Sequence, residues 1–533
     1  MNRLAIAAIS LTLLATCAPD SGQPADSLAA IEGVVVDAVT GAPIAGASVH
    51  ALGPDGRPES SGTTDAHGRF ALHGLAPGRR LIAASKAGYV RAGRAGGAGV
   101  PFSVAAGEGV GNARLRLTKA GVITGRVLGL ERRPIGGARL ELYRQAVPLG
   151  RPQLMIVATG SAPRPLETRD DGVFRIEGVA PGRYYMRIIP SNSFVTELAS
   201  HKRALASVFY PGVNDFSKAV AVDVRPGQET LLPDIVLKQA RAGRIRVRLV
   251  NATGERADFP LVTLKPAGWV GPEFSLYQTR MINDVYEFQP DFRGTYEVSA
   301  SWMGVSGRRF GFATVRFDGV DAGVTVRVAA PKHQLQGRGL MESGNGAFEP
   351  LANLEVAFGP NPTLTAVTNR DGEFLVEEAY AGRYQFGYVR QIPDGAYVAA
   401  VRQGGQDVLT GGLVVPGPGV EVVVSRSGGV IEGRVIDGAG AAVHDALVAL
   451  VPEKPLRDRT DYYGTFQSVS SDQNGAFEFR GIHPGEYRLY AWSEGEEGMY
   501  RNADLMKPFE PFGRAVRIEK GGRATVELKA LDK

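Results

Sequence analysis

His483 and Glu486 are the residues of this chain whose types and spacing come closest to a catalytic motif. A His-x-x-Glu pair can bind zinc when a third ligand and a glutamate base lie nearby. Of the seven histidines, only His483 has a glutamate three residues later. Pro484 and Gly485 stand between the two, and a Pro-Gly pair makes a tight turn rather than the helix or strand end that such ligands need. The motif therefore predicts a turn and no metal site.

Motifs for other kinds of catalytic or metal-binding site are equally weak in this sequence. No Gly-x-Ser-x-Gly sequence is present, and Cys17 is the only cysteine, so neither a serine elbow nor a cysteine-based site is predicted for the rest of the chain. Several acidic residues lie just before glycines, as Asp65 and Asp472 do, where carboxylates could contribute to a Ca²⁺ site. An Asp in such a turn more often accepts hydrogen bonds from its own backbone. We expect no cofactor and no enzymatic activity.

Aromatic residues of the C-terminal hundred residues are the candidates for ligand binding. The faces of Tyr and Trp stack on sugar rings, and the loops of a β-protein can present them. The alternative is that these rings pack in the core. The candidate glycan-binding residues are Tyr462, Tyr463, Trp492 and Tyr500.

Any such site would be positioned by a sequence pattern that recurs about every hundred residues. Its clear copies are TTDAHGRFALHGLAPGRR (63–80), ETRDDGVFRIEGVAPGRY (167–184), VTNRDGEFLVEEAYAGRY (367–384) and SSDQNGAFEFRGIHPGEY (470–487). Their first glycines, at 68, 172, 372 and 475, are separated by 104, 200 and 103 residues, and a degenerate copy occupies 282–298 in the long gap. A Gly turn, an alternating apolar and polar run and a Pro-Gly turn are typical of a β-hairpin. Each copy therefore predicts a hairpin.

A second recurring piece precedes most hairpins, as in IEGVVVDAVTGAPIAGASVHAL (31–52) and IEGRVIDGAGAAVHDALVAL (431–450). The combined pattern, Gly-x-Val, Pro-Ile-x-Gly-Ala-x-Val, Thr-x-Asp-x-x-Gly-x-Phe and Leu-x-Pro-Gly-x-Tyr, resembles the carboxypeptidase regulatory-like domain, most closely at 31–90. That family is similar to transthyretin and to the B-type repeats of collagen adhesins. The resemblance implies Greek-key β-sandwiches of a carbohydrate-binding-like fold. In carboxypeptidases this domain stands beside the catalytic one, and only the regulatory type is recognised in this sequence.

The N-terminal residues form an export signal. Arg3 is followed by the apolar run LAIAAISLTLLA (4–15), which is too short to span a bilayer comfortably. Leu14-Ala15-Thr16-Cys17 resembles a bacterial lipobox, which implies a lipid on Cys17; cleavage after Ala18 by an ordinary signal peptidase is the alternative. No later apolar run approaches 18 residues, so no transmembrane helix is predicted after the signal.

Composition agrees with a globular β-protein. The chain has 533 residues with 69 Gly and 33 Pro, an excess that indicates many turns and short strands. Its net charge of +5 is spread over scattered arginines without a basic run of five, which argues against nucleic-acid binding.

These observations predict an all-β chain, a tandem array of about five Greek-key β-sandwich domains. The predicted order is a signal (1–17), a linker (18–29), and five domains at 30–118, 119–239, 240–330, 331–427 and 428–533, the third degenerate. Short junctions indicate a semi-rigid rod. We expect a non-enzymatic spacer or adhesion protein, tethered by lipid to the outer membrane or cell surface, with an envelope protein or glycan as partner. A soluble periplasmic or secreted protein, a polysaccharide-binding lipoprotein and an undetected carboxypeptidase-like hydrolase are the alternatives.

Overall fold

A computed structural model places most of the mature chain. It describes residues 28–53, 56–91, 99–147, 150, 153–157, 166–190, 203–205, 207–213, 216–237, 239–241, 243–251, 260–267, 276–277, 280–282, 285–288, 290, 293–304, 307–343, 346–359, 363–409, 411–453 and 465–531. Cys17, Tyr462 and Tyr463 lie outside the described residues.

The first domain consists of two four-stranded sheets. Their orders are β4-β1-β8-β6 and β3-β2-β5-β7, and β1 pairs in parallel with β8. The strands are β1 (Ala29–Asp37), β2 (Ser48–Leu52), β3 (Pro58–Thr63), β4 (Arg69–Leu75), β5 (Gly78–Ser85), β6 (Tyr89–Arg91), β7 (Val100–Val104) and β8 (Gly109–Lys119).

The second domain repeats this plan with additions. One sheet has the order β12-β9-β17, with β18 also on β9; the other is β11-β10-β13-β15, with β16 on β13, and β14 pairs with β19. A 3₁₀ turn occupies each of Leu130–Arg132 and Phe216–Lys218. The strands are β9 (Gly121–Leu128), β10 (Arg139–Ala146), β11 (Gln153–Ile156), β12 (Val173–Val179), β13 (Gly182–Ile189), β14 (Arg203–Leu205), β15 (Val208–Phe209), β16 (Val222–Val224), β17 (Glu229–Leu231), β18 (Ile235–Val236) and β19 (Gln239–Arg241).

The third domain differs, because its two layers join into one eight-stranded sheet of order β22-β21-β25-β26-β27-β20-β24-β23. The joint is the pairing of Phe310 with Ala329 and of Gly311 with Val328, which the 11-residue length of β26 permits. The strands are β20 (Ile245–Asn251), β21 (Leu261–Pro266), β22 (Leu276–Tyr277), β23 (Arg280–Ile282), β24 (Val285–Phe288), β25 (Gly294–Gly304), β26 (Gly307–Phe317) and β27 (Ala322–Ala329).

The fourth domain returns to two sheets. Their orders are β29-β28-β37-β34-β35, with β32 on β28, and β31-β30-β33-β36. The strands are β28 (His333–Glu342), β29 (Phe348–Pro350), β30 (Glu355–Gly359), β31 (Leu364–Val367), β32 (Glu373–Ala379), β33 (Gly382–Arg390), β34 (Tyr397–Gln403), β35 (Gln406–Asp407), β36 (Leu413–Val415) and β37 (Val420–Ser425).

The fifth domain has sheets β41-β38-β44 and β40-β39-β42-β43. Between β42 and β43 the chain forms a helical cover of 3₁₀ turns at Met499–Arg501 and Lys507–Phe512 around a four-residue helix, α1 (Ala503–Met506). The strands are β38 (Gly429–Ile436), β39 (Leu447–Pro452), β40 (Gln467–Ser470), β41 (Ala476–Ile482), β42 (Gly485–Trp492), β43 (Arg514–Ile518) and β44 (Arg523–Lys529).

Five hydrophobic clusters lie between the layers. Their buried members fall within 29–117, 123–237, 245–328, 335–424 and 431–528, so each draws on one of the five predicted segments. The limits of the domains remain a prediction, whereas the all-β fold of successive sandwich-like modules is what the structure shows.

The recurring hairpin turn depends on a glycine. Gly172 has φ of 73°, and a Cβ at this position would lie 2.4 Å from the carbonyl oxygen of Val127. Gly475 has φ of 74° and would meet Val435 O at the same distance. Any other residue would be strained by its backbone and would clash with the first strand of its own domain.

A buried hydroxyl, four residues before that glycine, fastens the hairpin to the loop that leads into β2, β10, β30 or β39 in four domains. Thr168 Oγ1 donates to Ile135 O at 2.6 Å and accepts from Ala138 N at 2.9 Å. The hydroxyl groups that make this pair of bonds, called the hydroxyl clip below, belong to Thr64, Thr168, Thr368 and Ser471. The degenerate third copy has Arg280 at the corresponding place.

The run from Phe194 to Val208 is the nearest that the sequence beyond residue 30 comes to helical periodicity, but the part of it that the structure describes contains strands. Residues 203–205 are β14, and Val208 begins β15. The only α-helix among the described residues is α1, in a segment without helical periodicity. No helix within the described ranges is both long and apolar enough to cross a bilayer.

Candidate interaction site in the fifth domain

One strand of the fifth domain, β39, buries both of its faces along its whole length. In β39, Val448 and Leu450 enter the domain's own core, whereas Leu447, Ala449 and Val451 face a second cluster beneath the helical cover. Because a strand alternates its side chains, a continuous apolar run such as LVALVP indicates burial on both sides. The second cluster is called the apolar socket, and its buried members in this domain are Leu447, Ala449, Val451, Phe466, Tyr490, Trp492, Met499, Tyr500 and Met506.

Two of the four candidate glycan-binding residues lie inside this socket. Trp492 is 0% exposed, stacks on Tyr490 with ring centroids 5.6 Å apart, and meets Phe509 edge to face. Tyr500 is 4% exposed and donates its hydroxyl to Glu497 Oε1 at 2.7 Å. Neither ring has a face free to stack on a sugar, because both rings are buried by packing. The expectation that Trp492 and Tyr500 stack on a sugar is therefore wrong. Glycan binding by Tyr462 and Tyr463 stays a prediction.

The second domain inserts a residue into the socket. Val147, next to the end of β10, belongs to the same buried cluster. Nearby, Asn502 Nδ2 donates to Gly150 O at 2.7 Å, and a Cβ on Gly150 would lie 2.8 Å from Arg501 Cβ. The second and fifth domains therefore share a desolvated apolar contact.

The first domain meets the fifth through polar groups. Gln473 Oε1 accepts from Ser103 N at 2.9 Å, and Gln473 Nε2 donates to Ser103 O at 2.7 Å. His444 Nε2 lies 3.1 Å from Pro101 O, and Arg79 donates to Ser470 O at 2.7 Å. These contacts between Arg79, Pro101 and Ser103 on one side and His444, Ser470 and Gln473 on the other are called the latch.

Burial at the latch affects a titratable group. Desolvation lowers the pKa of His444, whose ring also meets Phe102 of the first domain at 4.8 Å. The hydrogen bond with Pro101 O opposes this shift, as do Asp445 and Asp472, and Arg116 adds to it. The closed latch therefore favours the neutral imidazole.

The fourth domain contacts the fifth mainly through charges. Lys520 Nζ lies 2.7 Å from Glu342 Oε1, and its hydrogen bond holds the pKa of that carboxyl below its usual value. The ring of Tyr397 meets that of His483 at 5.1 Å. These contacts contradict the expectation of a rod, because the fifth domain touches the first, the second and the fourth.

His483 has a structural place at this junction. Its Nδ1 lies 2.7 Å from Pro484 O, and its own carbonyl accepts from Tyr487 Oη at 2.5 Å. No group of three or more His, Cys, Asp or Glu side chains is arranged to hold a metal ion in the described part of the chain.

The turn carboxylates bond to their own backbone. Asp65 Oδ1 accepts from the amides of His67 and Arg69, both at 2.8 Å, which lowers its pKa. Asp472 Oδ1 accepts from the amides of Asn474 and Ala476, both at 2.9 Å. This is the local role that turn residues are expected to play.

A cavity of about 480 Å³ opens beside the socket. Arg488 and Glu453 form an ion pair at 2.5 Å on its wall, with both side chains partly exposed. The lining residues are Val451, Pro452, Glu453, Arg488, Tyr490, Met506, Glu510 and Pro511.

With this geometry, comparison with known proteins identifies the first module. The family model of the carboxypeptidase regulatory-like domain matches residues 30–118. Residues 30–118 are a carboxypeptidase regulatory-like domain. No curated protein matches the chain significantly.

Solved structures with similarity to the chain include several bacterial pilins. The minor pilin GBS52 of Streptococcus agalactiae is 17% identical, with 40% of this chain and 96% of that one covered and a TM-score of 0.22. A streptococcal ancillary pilin is 14% identical over 54% and 99% of the two chains, with a TM-score of 0.20. The major pilin subunit BcpA of Bacillus cereus is 14% identical over 78% and 100%, with a TM-score of 0.14. Scores this low do not indicate a shared function.

Proposed function

We propose that this chain is an exported, non-enzymatic scaffold of the cell envelope, in which the fifth domain holds the other β-sandwiches in a fixed arrangement. The observation that carries the proposal is the threefold contact of the fifth domain: a polar latch to the first, an apolar socket for the second and ion pairs to the fourth. A spacer or adhesion protein needs this property, since rigid placement of modules lowers the entropy lost when a partner binds.

A hydrolase assay on the purified mature chain tests the non-enzymatic part. We expect no turnover of peptide or glycan substrates, with or without added Zn²⁺ or Ca²⁺. Turnover that disappears on substitution of a cavity residue, for example Arg488→Ala, would show that the protein is an enzyme and would contradict the non-enzymatic scaffold. Ser61→Ala, on the surface of the first domain, is the matched control.

The anchor is tested at Cys17. We expect the full-length chain to fractionate with membranes and to incorporate a labelled fatty acid, because a lipobox cysteine is acylated. Cys17→Ala should abolish the label and release the protein into the soluble fraction, since the lipid is the anchor in this proposal and no helix of the described residues is long and apolar enough to cross a membrane. A labelled Cys17→Ala protein, or an unlabelled wild-type chain, would contradict the anchor.

A further inference from the structure

The contact between the first and fifth domains differs from the other contacts that the fifth domain makes. The second domain contributes Val147 to a buried apolar cluster of the fifth. The cluster of the first domain contains only its own residues, from Ala29 to Leu117. The described contacts of the latch are hydrogen bonds and one ring contact. Since water replaces such hydrogen bonds when a contact opens, the latch should separate at lower cost than the apolar contact with the second domain.

The latch also contacts the backbone of a strand in the first domain rather than a surface formed by side chains. β7 is the edge strand of its sheet, so the outward N–H and C=O of Ser103 lack a strand partner. The amide of Gln473 accepts from one and donates to the other, as a neighbouring strand would. Edge strands left open in this way pair readily with other chains, and covering them is a common protection.

A short junction leaves the first domain able to move as a unit. β8 ends at Lys119 and β9 begins at Gly121, so Ala120 alone separates them. The buried cluster of the first domain ends at Leu117 and that of the second begins at Ile123. A rotation near Ala120 would open the latch without breaking either core.

We propose that the first domain is an exchangeable arm, which docks either on the fifth domain of its own chain or on that of a second copy. Both arrangements make the same bonds, which is the condition for domain swapping. Docking within one chain prevails in dilute solution, because a linked partner has an effective concentration on the order of millimolar. Exchange therefore requires high protein concentration or crowding on a membrane. The proposal goes beyond the scaffold function, which holds with or without exchange.

The contact can be detected by crosslinking, because Cys17 is the only native cysteine. The full chain with Cys17→Ser is prepared as a double variant, Ser103→Cys with Asn474→Cys, and as two differently tagged single variants. Both substitutions keep the latch bonds, because Gln473 bonds to the backbone of Ser103 and the exposed Asn474 is its neighbour. A short bismaleimide should join the double variant within one chain at low concentration. The mixed single variants, incubated at high concentration, should yield a crosslinked dimer that carries both tags.

The matched control replaces Ser103→Cys by Ser61→Cys. Ser61 is exposed on β3, the opposite edge of the same sheet, so it should give no dimer with Asn474→Cys. Two results would refute the exchangeable arm. One is the absence of a crosslink within the double variant, and the other is a yield of crosslinked dimer that never exceeds that of the Ser61 control at any concentration. The second result alone leaves the scaffold intact and refutes only exchange.

Discussion

At the residue scale, the most regular feature is the hydroxyl clip. One side chain satisfies a buried carbonyl and a buried amide in each of four domains, and it ties the hairpin to the loop that leads into β2, β10, β30 or β39. In the sequence pattern Thr-x-Asp-x-x-Gly this hydroxyl stands at the unspecified position directly before the Asp, as Thr64 does before Asp65, so the pattern alone gave no reason for it.

Removing one clip should destabilise its domain. Thr368→Val keeps the shape of the side chain and leaves Leu351 O and Leu354 N without their partner. We expect the free energy of unfolding of the fourth domain to fall by about 1–3 kcal/mol, the cost of unsatisfied buried polar groups. Hydrogen exchange of that domain's amides measures it. Thr365→Val, at an exposed position of β31, is the control and should change little.

The latch should respond to pH through His444. Its pKa is lowered in the closed state, so the open state binds a proton more readily. The closed latch is therefore most stable when the pH is above the ordinary histidine pKa of about 6.5, and its stability decreases as the pH falls through that value. Energy transfer between dyes on the first and fifth domains should decrease on acidification. His444→Gln, which does not titrate, should remove this response, and an unchanged response would refute the assignment to His444.

At the element scale, the apolar socket explains why β39 and β42 carry apolar residues on both faces. The alternation of the hairpins predicts strands because local pattern determines strand pairing within a domain. It does not predict the socket, because the partner Val147 lies some three hundred residues away and is an ordinary apolar residue in a turn. The sequence suggested a glycan site at Trp492 of β42 because the local pattern does not show that Phe509 of the helical cover packs against this ring.

Val147→Asp tests the socket. A carboxylate among Trp492, Met499 and Met506 would lose its hydration without gaining a partner, so we expect a loss of at least about 2 kcal/mol from the contact between the second and fifth domains. Limited proteolysis should then cut the helical cover faster. Val220→Asp, at a surface position of the second domain that is 51% exposed, is the control and should leave the rate unchanged.

At the scale of the whole molecule, the number of modules and their fold could be predicted from the sequence, but their arrangement could not. The repeat spacing indicates five modules with separate cores, and it carries no information about which surfaces meet. Gln473 illustrates this, because the corresponding turn position holds Ala66, Asp170 and Arg370 in the other clear copies. A variable turn residue gives no sign in one sequence that it bonds to Ser103, 370 positions away.

The exchange of the Ser103 amide proton with deuterium tests most directly whether the chain folds back on its fifth domain. Its only neighbour on the open edge of β7 in the described structure is Gln473 Oε1, at 2.9 Å. In the intact mature chain this amide should exchange slowly, and Gln473→Ala should accelerate it while the amides of β1 in the same domain keep their rates. Fast exchange at Ser103 in the wild-type chain, or a rate that Gln473→Ala leaves unchanged, would contradict the arrangement described for the five domains.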